Sequence, residues 1–255
     1  MRIIIKVGSK LLSSPQTTSG LNETFIGHLV QQIATLHQQD HEIILVTSGA
    51  VATGKVKKKD YPLGRAAMVG QVRLMNAYLR FFDRLPENIR VGQALYTYHD
   101  LEGKQASYTK EMLIQGFKWK EITIVNANDA VMGNELRALS DLADNDKLAA
   151  KLAVLIEANL LIILTDVDGL YRNYKSSKPE LIRRVSKIDE EIFRLAQKTD
   201  SSLSKGGMLS KLEAAKFAAS QGVEVAIVNG RIRNVLLARV NNNPKNWPGT
   251  TFLAK

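Results

Sequence analysis

Lysine, serine, asparagine and aspartate gather in this sequence where apolar runs stop, often beside glycine, and such places suit chemistry on phosphates and carboxylates. The first is Lys6-Val7-Gly8-Ser9-Lys10. Its glycine permits close backbone approach, Ser9 offers a hydroxyl, and Lys6 or Lys10 can neutralise a phosphate. The second, Val46-Thr47-Ser48-Gly49-Ala50, is a small-residue turn with hydroxyls. Helices that follow such turns bind anions through free N–H groups and the helix dipole. A third pair of segments, Val125-Asn126-Ala127-Asn128-Asp129 and Asp144-Asn145-Asp146, concentrates carboxylates and amides. Those groups suit ammonium, lysine or metal partners, and a helix N-cap accounts for one of the two later aspartates. Leu164-Thr165-Asp166-Val167-Asp168-Gly169-Leu170-Tyr171 reads either as an Asp-Gly turn or as part of a site. Finally, Ser204-Lys205-Gly206-Gly207-Met208-Leu209-Ser210-Lys211 sets paired glycines between lysines, a composition suited to cradling phosphate or to a surface loop.

Other chemistries are excluded or unsupported. There is no cysteine, which removes disulfides, thiolate catalysis and Cys-ligated metal. Neither a Gly-x-x-x-x-Gly-Lys-[Ser/Thr] loop nor a Gly-x-Gly-x-x-Gly fingerprint occurs. His28, His37, His41 and His99 show no metal-ligand spacing, and no nucleophile elbow is present.

The elements that must position these residues follow from periodicity. Nearly continuous apolar runs at 2–7, 42–46, 90–96, 121–125, 160–164 and 223–228 read as strands buried on both faces. Between them run helical stripes: Phe25, Ile26, Leu29, Val30, Ile33 and Leu36; Met68, Val72, Met75 and Leu79; Leu148, Leu152 and Leu155; Leu212, Ala215 and Ala219. This alternation predicts an α/β fold with a parallel sheet and helices on both faces, its turns at the carboxyl ends of strands being the place for ligands. At 255 residues and 28.3 kDa, one domain over residues 1–255 is expected. The 35 basic and 25 acidic residues give a net charge of +10 and a pI near 9.7, which favours anionic partners. With only 6% aromatic residues and nothing aromatic beside Lys57-Lys58-Lys59, nucleic acid is not the expected partner. No run reaches the roughly 20 apolar residues that span a bilayer, and no signal peptide is visible, so no membrane partner and a cytoplasmic protein are expected.

Taken in order, Lys6-Val7-Gly8-Ser9, Val46 to Ala50, Val69-Gly70-Gln71-Val72-Arg73-Leu74, Gly92-Gln93, Asn126 to Ala130, Asp144-Asn145-Asp146, Leu164 to Tyr171 and Gly206 to Lys211 resemble the motifs of the amino-acid kinase family along nearly the whole chain. The resemblance implies a three-layer αβα sandwich with a mostly parallel central sheet. It implies phosphoryl transfer from ATP, with Mg²⁺, to the γ-carboxylate of L-glutamate. Lys6 and Lys211 match the catalytic lysines, and Asp146 the aspartate that holds them. Ser48, Asp129 and Asn145 match substrate contacts. Lys6, Gly8, Ser9, Thr165, Asp166, Lys205, Gly206, Gly207, Met208, Leu209, Ser210 and Lys211 match the ATP site; no residue matches a protein-held metal. Ala127, Ala143 and Lys205 depart from the residues usual in the family, and 132–142 is longer than usual. Other acceptors handled by the family, namely aspartate, N-acetylglutamate, carbamate and nucleoside monophosphates, stand as the alternative. The resemblance also implies a homo-oligomer, and a C-terminal PUA domain, found in many members, is not expected within this chain.

Overall fold

Ile3, Ile4 and Ile5 are all completely buried, which requires cover on both faces of the strand that carries them. In the computed structural model that strand, β1 (Arg2–Val7), lies inside a sheet with helices on either side. The structure describes residues 1–14, 16–55, 60–97, 99–131, 144–174, 176–197, 207–241 and 247–255. Lys57-Lys58-Lys59, the 132–142 segment, Ala143, Lys205 and Gly206 therefore lie outside the described residues.

The other principal strands are β2 (Glu42–Val46), β3 (Arg90–Tyr96), β4 (Glu121–Ala127), β5 (Leu160–Thr165) and β9 (Glu224–Asn229). With β8 (Arg184–Val185) and β10 (Thr250–Phe252) they form an eight-stranded sheet in the order β3-β4-β2-β1-β5-β9-β10-β8. Every pairing in it is parallel except β9 with β10. The short β6 (Tyr171–Arg172) and β7 (Glu180–Leu181) pair antiparallel apart from it. The six expected strands are present, shifted by two residues or fewer, and the expected α/β class with a mostly parallel sheet is what the chain adopts. One boundary matters for chemistry. Asn126 and Ala127 still pair with Leu95 and Tyr96, so they close β4 instead of opening the turn.

Among the described residues the helices are α1 (Ser9–Leu12), α2 (Glu23–Gln38), α3 (Ala50–Gly54), α4 (Leu63–Phe82), α5 (Gly103–Lys118), α6 (Asn145–Leu155), α7 (Glu190–Gln197), α8 (Met208–Ser220) and α9 (Val235–Asn241). Side chains alternate across a strand, and the two cores divide accordingly. Ile3, Ile5 and Val7 join residues of α2, α4 and α9 on one face. Ile4 joins Leu148 and Leu152 of α6 and Leu212 and Ala215 of α8 on the other. Lys6 has the parity of Ile4 and so faces α6 and α8.

Helix α4 is where the periodicity misleads. The stripe Met68, Val72 and Leu79 lies outward, with exposures of 50%, 70% and 40%, and of the four only Met75 is buried. The packed side is built from small residues with Leu74 and Tyr78. A Cβ on Gly70 would sit 1.7 Å from the Ala50 carbonyl oxygen, and one on Gly54 1.8 Å from that of Ala66. Glycine at both positions lets α3 and α4 touch backbone to backbone. No helix among the described residues is long and apolar enough to cross a membrane.

Candidate active site

Asp144 and Asp146 open α6 but serve different ends. Asp144 is the N-cap, its Oδ1 accepting the Asp146 backbone N–H at 2.9 Å. The capping role that explains one aspartate thus falls on Asp144, and Asp146 is left for another purpose. It is completely buried. Lys6 reaches its Oδ1 at 2.5 Å and Lys211 its Oδ2 at 3.1 Å, each lysine being only 5% exposed. Strand parity supplies Lys6, and the first turn of α8 supplies Lys211, whose ammonium also donates to the Gly207 carbonyl at 3.4 Å.

The electrostatics of this cluster follow from its burial. Loss of hydration works against ionisation of Asp146, but the two ammonium groups outweigh it and hold the carboxyl below the usual aspartate range. For Asp144, burial and then the charge of Asp146 push the carboxyl upward. The Ser210 hydroxyl donates to Asp144 Oδ2, which ties α8 to the start of α6 a second time. Two buried cations share one carboxylate, so two ammonium groups are held side by side where an anionic group could meet both.

A second cluster, uncharged, adjoins the first through Asn145. Its Nδ2 donates to Ser48 Oγ at 3.0 Å and to Asn126 Oδ1 at 3.1 Å. Ser48 is held by the turn after β2, where Gly49 takes φ +91°, a left-handed conformation natural to glycine. Asn126 Nδ2 donates in turn to Gln71 Oε1 at 2.8 Å. Two atoms of this group, Asn145 Oδ1 and Gln71 Nε2, are buried without a hydrogen-bond partner among the described residues. Asp129 stands in the turn beyond β4, half-buried, its N–H bonded to the Ala127 carbonyl and its backbone beside Gly64 of α4.

The third group lies at the ends of β1 and β5. Gly8 N–H donates to the Leu164 carbonyl at 3.0 Å, drawing the two strand ends together. Thr165 is buried, and its hydroxyl donates to Asp166 Oδ1 at 3.3 Å. Burial opposes the charge on Asp166, yet hydrogen bonds, chiefly from Lys10, hold its carboxyl low. Ser9 is exposed at the start of α1. Gly207 caps α8, followed by Met208, Leu209 and Ser210 in its first turn.

The amino acid kinase family model matches residues 1–229. The chain belongs to the amino acid kinase family. The glutamate 5-kinase of Thermoanaerobacter sp. (strain X514) is 38% identical over 268 residues, covering 99% of this chain and 68% of that protein. The glutamate 5-kinase of Dehalococcoides mccartyi (strain ATCC BAA-2266 / KCTC 15142 / 195) is also 38% identical, over 262 residues, with the same coverage. In fold, the chain is similar to carbamate kinase from Giardia lamblia bound to AMP-PNP, with a TM-score of 0.70 at 17% identity over 100% of this chain and 98% of that one. UMP kinase from Ureaplasma parvum follows at a TM-score of 0.59 and 15% identity, covering 99% of this chain and 98% of that one.

Within this family member, the expected lysines and aspartate converge, as do Ser48 and Asn145. Lys205 and Gly206 fall outside the described residues. Sequence reasoning gave Gln71 no role and did not pair it with Asn126; the only signal was the Val69-Gly70-Gln71 motif itself. Among the described residues no group of three His, Asp or Glu side chains could hold a metal ion. Asp146 is committed to its two lysines.

Proposed function

We propose that this chain transfers the γ-phosphoryl group of ATP to the γ-carboxylate of L-glutamate, giving L-glutamyl 5-phosphate, the first step of proline biosynthesis. The observation that carries this reading is the buried Lys6–Asp146–Lys211 cluster with the Ser48–Asn145 pair directly beside it. A carboxylate oxygen of the acceptor attacks the γ-phosphorus. The bond to the β–γ bridging oxygen breaks, and ADP leaves with that electron pair. Such transfer needs positioning and fixed cations more than covalent help from the protein.

In this reading Lys6 and Lys211 offset the charge spreading over the transferring group. Asp146 aims both ammonium groups without itself touching substrate. Ser48 and Asn145 hydrogen-bond the acceptor's oxygens, and Asp129 pairs with its ammonium. Gly8, Ser9, Thr165, Asp166 and residues 205–211 hold the nucleotide, which enters as MgATP, the ion being brought by the substrate. The kinase domain is read over residues 1–255. The assembly we propose is a homo-oligomer, supported by the outward apolar stripe Met68, Val72 and Leu79 of α4.

The test is ATP-dependent acyl-phosphate formation, trapped with hydroxylamine, across glutamate, aspartate, N-acetylglutamate, carbamate and nucleoside monophosphates. Turnover with glutamate well above the others is expected. A clear preference for any other acceptor contradicts the reading of the substrate.

A further inference from the structure

Gln71 is a polar side chain in a place where the fold calls for an apolar one. It is 9% exposed, on the packed side of α4 with Ala67 and Leu74. Among the described residues its Nε2 is buried with no partner, a cost that leucine or methionine would not incur. Its Oε1, by contrast, takes a hydrogen bond from Asn126 Nδ2 at 2.8 Å.

That bond and the Ala127 N–H hold the Asn126 amide from its two ends. An amide has a donor end and an acceptor end, and Gln71 Oε1 binds the donor end. Asn126 Oδ1 is then turned to accept from the Ala127 N–H at 2.9 Å and from Asn145 Nδ2 at 3.1 Å. The same Asn145 Nδ2 donates to Ser48 Oγ at 3.0 Å. Were Asn126 to tilt or reverse, its NH₂ would oppose both the Ala127 N–H and the NH₂ of Asn145, and Asn145 would turn away from Ser48; the Gln71 oxygen holds the amide against that. The backbone arrangement keeps Gln71 in register with this row. Its neighbour Gly70 lies against the Ala50 carbonyl, and α3, to which Ala50 belongs, begins just after Ser48 and Gly49.

We propose that Gln71 is a positioning residue of the acceptor site, setting the orientation of Asn145 and Ser48 through Asn126. The proposal rests on the reading of Ser48 and Asn145 as acceptor contacts. It assigns a purpose to the Val69-Gly70-Gln71 motif, and it predicts that the residue is kept at the expense of stability.

The experiment compares steady-state kinetics and melting of the full-length wild type, Gln71→Met, Gln71→Glu, Asn145→Ala and the Gln71→Met/Asn145→Ala double variant. Gln71→Met lacks the acceptor oxygen, and KM for glutamate should rise about tenfold, the scale of one hydrogen bond. KM for ATP should hold, kcat should fall much less than KM rises, and Tm should be unchanged or higher. Gln71→Glu keeps an acceptor oxygen and should recover most of the glutamate KM. The double variant should bind glutamate no worse than Asn145→Ala alone, since both act on one row of bonds. Three results would overturn the proposal: an unchanged glutamate KM in Gln71→Met, additive effects in the double variant, or no recovery in Gln71→Glu despite a wild-type Tm. If Gln71→Met does not fold, Gln71→Leu, which also lacks the acceptor oxygen, takes its place in both comparisons. A wild type that ignores glutamate but uses another acceptor would refute the substrate reading only, and the same KM pattern would then be sought with that acceptor.

Discussion

The two clusters meet at consecutive residues, Asn145 and Asp146, yet they are built on opposite principles. On one side Asp146 is buried between two lysines, with an ion pair at each carboxylate oxygen. On the other, Asn145 begins a row of neutral amides running through Asn126 to Gln71, with two polar atoms left unpartnered. The charged cluster is held by two ion pairs to one carboxylate. The neutral one is incomplete, and its vacant hydrogen bonds suit a ligand with its own oxygens. A single turn of helix thus divides the work: fixed charge for the transferring group, directional hydrogen bonds for the acceptor. Charges preorganised in a dry site act on the transition state, whereas hydrogen bonds to groups that do not react act on binding.

The largest effects should come from breaking the charged side. Lys211→Ala and Lys6→Ala should each lower kcat by about 10²–10³-fold and change KM for glutamate far less. Rapid-quench or coupled-assay turnover of the purified variants checks this, and near-normal kcat in either would remove that lysine from the chemistry.

Asp146→Asn should follow, losing both rate and stability. Because Asp144 and not Asp146 caps α6, the substitution spares the cap but strips two buried ammonium groups of their partner. Breaking a buried pair this way costs about 3–5 kcal/mol, readable by urea denaturation. Acidity offers a second handle. The folded-state value of Asp146 lies below its ordinary 3.8, so its stabilisation is present above that pH and is lost as pH falls through the lower folded value. Asp146→Asn should therefore show a shallower acid dependence of stability than wild type. Equal slopes would mean that the pair contributes nothing.

Smaller and confined to binding is the effect expected at the other acceptor contact, Asp129. Asp129→Ala should raise KM for glutamate about tenfold, one charge-assisted contact, with KM for ATP little changed. Glutarate, which keeps both carboxylates but lacks the ammonium, should be a poor acceptor for the wild type. If glutarate is phosphorylated as well as glutamate, Asp129 does not meet an ammonium. Smallest for the chemistry is Val72→Glu on the exposed stripe of α4, which should shift mass by light scattering toward the monomer. A mass that does not change would exclude this stripe from the assembly.

The strands were legible because burial on both faces leaves a continuous apolar run, as in Ile3-Ile4-Ile5 and Leu160 to Leu164. β10 was not, since Thr250-Thr251-Phe252 is too short to show a period. The apolar stripe of α4 pointed to a helix correctly and to its buried face wrongly. Ala66, Ala67, Gly70 and Ala77 do the packing there, and small residues carry little hydrophobic signal. At the site, residue types were readable but pairings were not. Which aspartate caps α6 depends on backbone geometry, and the meeting of Lys6 with Asp146 depends on the parity of β1. The role of Gln71 was not readable from its motif because its partner among the described residues, Asn126, stands 55 residues away.

The division between the two clusters is tested most directly by measuring kcat and both KM values for Lys211→Ala and Asn145→Ala in one assay. The account predicts that Lys211→Ala loses kcat while retaining KM for glutamate, and that Asn145→Ala raises KM for glutamate with kcat much less affected. If both variants lose the same parameter to the same extent, charge and hydrogen bonding do not divide the work at this helix terminus, and the account fails.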